Sequence, residues 1–432
     1  MNGASRIQHL DRDKMASTGA APGRATWAVA IGALSAGLLV LGLSLTPVVP
    51  AQAQALDDAV ANILNNNCAA IAGPTGAQLG ALCGGGPASS GVNTPAGGSP
   101  TAQSNSVSHD EENKIKKRLK ERRNQQAGLP TGYSAGDSND ATFSLGGLAG
   151  FISGDYENVD KKTTGFTPGF NSDKFAGTVG LDYSFDKFVL GVAFNYSRTD
   201  GDFEANGGGF KTDSYGGYVY GSFTPIDNLY FDAVAGYAKK DLSSDRRVSF
   251  TNAGNAVTAQ GTSLGSTDAN EYKASLSGGY DFTYQNFTYG PRAGINYVRN
   301  STDAFSESGN TGLELAFDKQ TFTSITSSVG VHGSAAFSVG FGVLVPQVSA
   351  DYIHEFGDGQ KTLQAHFVQD LAASPTQISF QNDSPDRDYF GLGFGVVAVL
   401  PHGISPFVNY RALVGDSIKT TQTVSAGVRF EF

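Results

Sequence analysis

Few residues in this chain could do covalent chemistry. Beyond the first hundred residues the histidines are His109, His332, His354, His366 and His402. Hydrolysis by a side chain needs a histidine oriented by an acid and aimed at a hydroxyl. His354, followed by Glu355 and preceded by Asp351, comes nearest to that composition. It reads as a polar rim cluster, and no catalytic residue is assigned. Asp200, Asp202 and Glu204 offer the oxygen ligands that a hard cation prefers, but three acids in one loop read as solvated. The run Gly207-Gly208-Gly209 and the many G-x-G repeats lack the following helix that a phosphate cradle requires. Cys68 and Cys83 are the only cysteines. Two thiols cannot build a structural zinc site, and their spacing is not that of a redox pair. No metal or cofactor is expected, and a net charge of -10 argues against nucleic acid as a partner.

The elements that would carry these residues speak more clearly. The N-terminal stretch has Arg12, Lys14 and Arg24, an apolar run from about 25 to 45, then Pro47 and Pro50 and the small-residue signals Ala51-Gln52-Ala53 and Ala53-Gln54-Ala55. Residues 1–55 therefore read as a secretory signal. In the oxidising compartment beyond it, Cys68 and Cys83 are expected to close one small disulfide loop. Residues 56–107 read as a short extension: an amphipathic helix with Ala59, Val60, Ile63 and Leu64 on one face, then a linker of Gly, Pro, Ser, Thr and Asn.

From about 131 to 432 apolar residues alternate with small or polar ones. Phe188, Leu190, Val192, Phe194 and Tyr196 alternate with Val189, Gly191, Ala193, Asn195 and Ser197. The chain closes on Val424, Ala426, Val428, Phe430 and Phe432 in the same rhythm. The predicted strands are 142–157, 173–185, 188–201, 210–224, 229–242, 270–284, 287–301, 321–338, 341–356, 388–400, 404–414 and 421–432. Strands of a soluble sandwich usually run about 5–6 residues, whereas strands that cross a lipid layer need about 9–11 with one apolar face. Twelve is an even number, and connections alternate between short and long along the chain. That is the pattern of a bacterial outer-membrane barrel with its short turns in the periplasm. The expected fold is thus all-β, a twelve-stranded antiparallel transmembrane barrel, with outer-membrane lipid around it.

Between extension and barrel, residues 108–130 hold a polar helix and connector. Ser108 and Glu111 make a capping box, and Lys114, Lys116, Lys117, Arg118, Lys120, Arg122 and Arg123 follow. Only Ile115 and Leu119 are apolar, too little to seat the helix on an oily core. Alone it reads as a solvated linker helix. Beside a barrel it reads as a plug, because alternation turns Asp182, Asp232, Asp351, Arg292, Arg411 and Arg429 toward a wet lumen. A helix is about 10–12 Å across, and a lumen between the filled eight-stranded and open sixteen-stranded cases has room for one.

The stretch D-S-P-D-R-D-Y-F-G-L-G-F-G-V-V-A-V-L-P-H-G-I-S-P-F-V-N-Y-R-A-L, with the terminal S-A-G-V-R-F-E-F, resembles the end of an autotransporter β-domain. The resemblance covers about 108 to 432. It implies that Val428, Phe430 and Phe432 form the signal for the outer-membrane assembly machinery. It also implies that the helix threads the lumen and carries the preceding chain through it. Autotransporters usually bear a large repetitive passenger, and here only about 55 residues lie between the signal and the helix. Residues 56–107 are then a residual passenger or a linker. Some relatives cut the passenger inside the lumen, but Asn124 stands without a supporting pattern and no cleavage is expected. Export or display of the short N-terminal segment is the leading function. A plugged porin-like channel, or a surface-loop adhesin for host or cell-surface ligands, is the alternative.

Overall fold

The computed structural model describes residues 56–66, 71, 75–83, 115–116, 118–120, 147–252, 257–357 and 359–432. The expected signal segment, Cys68, Asn124 and the linker from 84 lie outside the described residues. The barrel strands are β1 (Leu148–Lys161), β2 (Phe170–Phe185), β3 (Phe188–Phe203), β4 (Gly208–Ile226), β5 (Leu229–Asn252) and β6 (Val257–Tyr280). They continue as β7 (Phe287–Thr302), β8 (Gln320–Ala335), β9 (Gly342–Glu355), β10 (Asp388–Val399), β11 (Ile404–Val414) and β12 (Lys419–Glu431). Each pairs antiparallel with its neighbours in sequence. β12 pairs back onto β1, from Ala149 opposite Glu431 to Lys161 opposite Lys419, and this closes the sheet. No edge is left, which is the only way a sheet can satisfy its backbone in hydrocarbon.

The two-residue rhythm sets what each face meets. Along β3, Leu190, Val192 and Phe194 stand outward and exposed, while Val189, Ala193 and Asn195 are buried inward. Aromatic side chains mark two outward belts. Near the short turns stand Tyr183, Phe185, Phe188, Phe223 and Phe231, with Phe185 and Phe188 stacked at 5.6 Å and Phe188 and Phe223 at 4.7 Å. Near the other end stand Tyr156, Phe175, Tyr196, Tyr215, Tyr237 and Tyr272. On β2 the belts are ten residues apart, Phe175 to Phe185. That is roughly 33 Å along a strand, or roughly 25 Å across the membrane at a tilt near 40°. The outer tyrosines donate to the next strand: Tyr156 to Asp173 at 2.6 Å, Tyr196 to Asp213 at 2.7 Å and Tyr237 to Asn270 at 2.6 Å. Each ring thus keeps its apolar body in lipid and its hydroxyl on a polar rim.

The short turns follow elementary turn chemistry. Asp186, Asn228 and Gln285 adopt φ of 45°, 72° and 54°, the left-handed conformation that two-residue hairpins demand. Strand limits depart from expectation at two places. β1 runs on to Lys161, and β5 and β6 extend ten and thirteen residues past the predicted limits of 242 and 270 as one long hairpin. The segment D-L-S-S-D-R-R-V-S-F lacks a greasy outer face because it stands clear of the lipid. There its inward residues Val248 and Phe250 join a different core, together with Ala259 of β6.

That core sits at the long-loop, extracellular end. A four-stranded antiparallel sheet runs in the order Ile378–Gln381, Thr362–Phe367, Leu315–Phe317, Phe305–Ser306. Two helices cover it, α1 (Leu56–Asn66) and α2 (Ala77–Leu82). Leu56, Ala59, Val60 and Leu64 of α1 are all buried, at the spacing of one helix face. Leu79 and Leu82 of α2 are buried too, and each fully buried leucine contributes about 1.5–3 kcal/mol. Cys83 at the end of α2 is disulfide-bonded, and Cys68 is the only other cysteine in the sequence.

One ion pair ties this sheet to the β5–β6 hairpin. Arg246 donates to both carboxylate oxygens of Glu307, at 2.9 and 2.5 Å, and to the Leu313 carbonyl at 2.8 Å. Both side chains are 1% exposed. Arg246→Met leaves a buried carboxylate unpaired, a cost of about 3–5 kcal/mol. Proteinase K is therefore expected to cut 303–319 roughly 100-fold faster in that variant. The heat-dependent gel shift of the barrel should stay intact, and an unchanged cutting rate refutes the assignment.

Candidate functional site: the plugged lumen

The inward face of the strands forms a polar tube, and residues 115, 116 and 118–120 sit inside it. Arg118 Nε donates to Asp182 Oδ2 at 2.8 Å and Nη2 to Oδ1 at 3.2 Å. The two side chains are 2% and 0% exposed. Tyr220 adds a hydroxyl to the same carboxylate at 3.3 Å. Its ring lies against Gly191, where any Cβ would stand 2.3 Å from a ring carbon. A glycine is needed there because the strand face must make room for the ring. Lys116 Nζ donates to Asn296 Oδ1 at 2.6 Å. The remaining positions named for the helix, Lys114, Lys117 and Arg122, lie outside the described residues.

Ile115 and Leu119 overturn part of the sequence reading. Two apolar residues looked too few to seat the helix, yet they are 1% and 0% exposed. They pack on an apolar patch of the inner wall made by Phe151, Val189, Ala193, Tyr218, Tyr220 and Val234. The signal was present on the supposedly small face of the strands, where Val189 and Ala193 flank Gly191. Phe151 also lies 5.9 Å from the Arg118 guanidinium. The stretch is therefore held by grease on one side and charge on the other.

The other wall residues named from the sequence divide into groups. Arg292 binds Asp351 through two hydrogen bonds, at 2.7 and 2.5 Å, and Arg411 stands 4.0 Å from the same carboxylate. Asp232 is 2% exposed and accepts from Ser222 at 2.7 Å. Arg429 is 4% exposed and lies 4.1 Å over the Phe407 ring. Arg292, Asp351, Arg411 and Arg429 all border a cavity of about 240 Å³ that also touches Lys116 and Arg118. Sequence reasoning missed His332, whose Nε2 lies 2.6 Å from Asp281 Oδ1 in the same interior.

The residues first weighed for chemistry make local hydrogen bonds and ion pairs. His354 Nδ1 lies 2.7 Å from Asp388 Oδ1, and its ring meets Phe356 edge-on at 4.5 Å. Asp388 also accepts from the Tyr352 hydroxyl. Asp200 pairs with Arg198 at 3.2 Å and with Lys211 at 3.9 Å. Glu204 accepts from Thr163 at 2.5 Å. At the other rim, the terminal aromatics face outward, Phe430 at 38% and Phe432 at 53% exposed. Val428 is opposite Ile152 and Phe430 opposite Gly150, and the Phe432 N–H donates to the Leu148 carbonyl at 3.2 Å.

Comparison with known proteins agrees with this architecture. Outer membrane protein B of Rickettsia typhi is 26% identical over 206 residues, 46% of this chain and 12% of that protein. Outer membrane protein B of Rickettsia prowazekii is 23% identical over 236 residues, 53% of this chain and 14% of that protein. The chain thus matches only a small part of the length of these relatives. Among solved structures, the translocator domain of the autotransporter NalP from Neisseria meningitidis superposes with a TM-score of 0.53 at 15% identity. The match covers 74% of this chain and 96% of that one, and it bears on the fold alone. Residues 150–411 match the sequence family described as the autotransporter β-domain. A closed twelve-stranded barrel in the Gram-negative outer membrane, matched over more than half its length to one family, makes this chain a member of the autotransporter β-domain family.

Proposed function

We propose that this barrel carries its own N-terminal segment through its lumen and holds it at the cell surface. One observation supports this most. Residues 56–66 and 75–83 pack at the extracellular end, 115, 116 and 118–120 lie inside the tube, and β1 starts at the periplasmic end. A chain that visits those three places in that order runs through the lumen from outside to inside. On this reading the barrel is a transport module that performs no bond chemistry of its own. The stretch around Arg118 is the last part of the exported chain and stays behind as a stopper. Val428, half-buried, with Phe430 and Phe432, exposed at the periplasmic rim, are proposed as the handle for the assembly machinery.

An epitope tag inserted after Cys83 tests the export. External protease on intact cells is expected to remove the tag completely while a periplasmic marker survives. A tag that persists until the outer membrane is broken refutes export and leaves the plugged-channel reading.

A further inference from the structure

If the N-terminal segment is exported, its fate follows from what it touches outside. We propose that the segment carrying residues 56–66 and 75–83 is a permanently docked component of the barrel's surface, which would stay bound even without the linker, rather than a releasable passenger. The inference rests on the export reading and goes beyond it, because a displayed segment need not be bound to anything.

Three independent features carry it. The first is mutual burial. α1 lies against the strand Ile378–Gln381 and α2 against the extended part of β6. Leu56, Leu64 and Leu79 share one core with Leu315, Phe367 and Ile378, all at most 1% exposed. Without the helices the loop sheet would show this apolar face to water, and without the sheet so would the helices. The second feature is directional bonding. The Gly76 N–H donates to the Gln369 carbonyl at 2.9 Å, and the Leu79 N–H to Gln369 Oε1 at 3.2 Å. Gln369 Nε2 donates to Gln78 Oε1 at 2.9 Å, and Thr75 forms a β-bridge with Asp370. Gln369 thus caps α2 from another part of the chain, at a helix start where Gly76 supplies no side-chain cap of its own.

The third feature is a backbone shaped for contact. Gly312 has φ of +82°, and a Cβ there would stand 2.8 Å from Gln78 Cβ. The loop from 303 to 319 therefore takes a conformation that glycine favours, at the point where α2 comes closest. The disulfide of Cys83 links the segment only to itself, since Cys68 is the sole other cysteine. What remains between segment and barrel is the docking surface and the linker.

The test is to cut that linker. A specific protease site with flexible flanks is inserted after Gly86, and a tag is placed directly before Leu56. Intact cells are treated with the protease and pelleted. The tagged fragment is expected to be cut yet stay at least about tenfold enriched in the pellet over the medium, a ratio worth about 1.4 kcal/mol. Leu79→Glu, and independently Gly312→Val, should reverse that ratio while the heat-dependent gel shift of the barrel is retained. Release of the cut wild-type fragment overturns retention but leaves export standing. A fragment that stays bound in both variants also overturns the proposal, because the docking surface would then not be what holds it. If the linker resists cutting while the same site placed after Ser374 in the loop 356–387 is cut, the segment is not outside. Export and retention then fall together.

Discussion

Replacing Asp182 with leucine is expected to unplug the barrel. Arg118 would lose its bidentate partner while remaining in a site where the pair is 2% and 0% exposed. Stranding one charge of a buried pair costs about 3–5 kcal/mol, and about 1.4 kcal/mol is a factor of ten. The fraction of time the purified barrel conducts in a planar bilayer should therefore rise by roughly two to three orders of magnitude. Arg118→Met should have a smaller effect, because Asp182 keeps the Tyr220 hydroxyl. The double variant Arg118→Met with Asp182→Leu should return close to the wild-type baseline, since the Ile115 and Leu119 contacts then act beside an apolar pair. Raising salt from 0.1 to 1 M shortens the screening length from about 10 to about 3 Å. Wild-type conductance should hardly respond if this one desolvated pair does the holding. A strong salt response would mean that the other basic residues of the stretch hold it collectively. Equal conductance of Asp182→Leu and wild type would remove the pair from any plugging role.

How much of this was legible beforehand depends on how far apart the cooperating residues lie. The barrel strands announced themselves because the lipid enforces one rule on every outward position, and ten residues suffice to display it. β7 and β11 came out within a residue of expectation for that reason. The extracellular core was not seen, although its signals were in plain text. Leu313, Leu315 and Phe317 alternate, as do Leu363, Ala365 and Phe367, and then Ile378 and Phe380. Each run is a strand pattern only three to five residues long, inside segments long enough to pass for loops. Their meaning appears only when α1, more than 240 residues away in sequence, lies over them. The inner wall was misread for a related reason. An inward Val189 or Ala193 looks merely small in a strand judged by its outer face, and becomes a seat only when Ile115 and Leu119 arrive. Charges were easier to place than partners. Alternation turned Asp182 inward, but nothing in the sequence chose Arg118 from among its basic neighbours.

Removing residues 428–432 is expected to abolish the folded barrel. Those residues supply the pairs from Ile152 opposite Val428 to Ala149 opposite Glu431, and Ile404 of β11 opposite Phe430 on the other side. Their loss exposes backbone groups of both neighbours where each unsatisfied group costs several kcal/mol in hydrocarbon. No rearrangement of the remaining ladder can satisfy both edges at once. The gel band that shifts on boiling should disappear from outer-membrane fractions and should not return on refolding into detergent. A second variant separates closure from delivery. Phe430→Ala with Phe432→Ala keeps every backbone pair and alters only two outward side chains, 38% and 53% exposed at the rim. Lipid-face changes near an interface cost little, of order 0–1 kcal/mol even for charges. This variant should therefore refold in detergent nearly as well as wild type. In cells it should reach the outer membrane at a tenth of the wild-type amount or less if those rings are what the assembly machinery grips. Normal delivery of the double alanine variant would leave the rings as membrane anchors only, while failure of both variants to refold in detergent would make them part of closure itself.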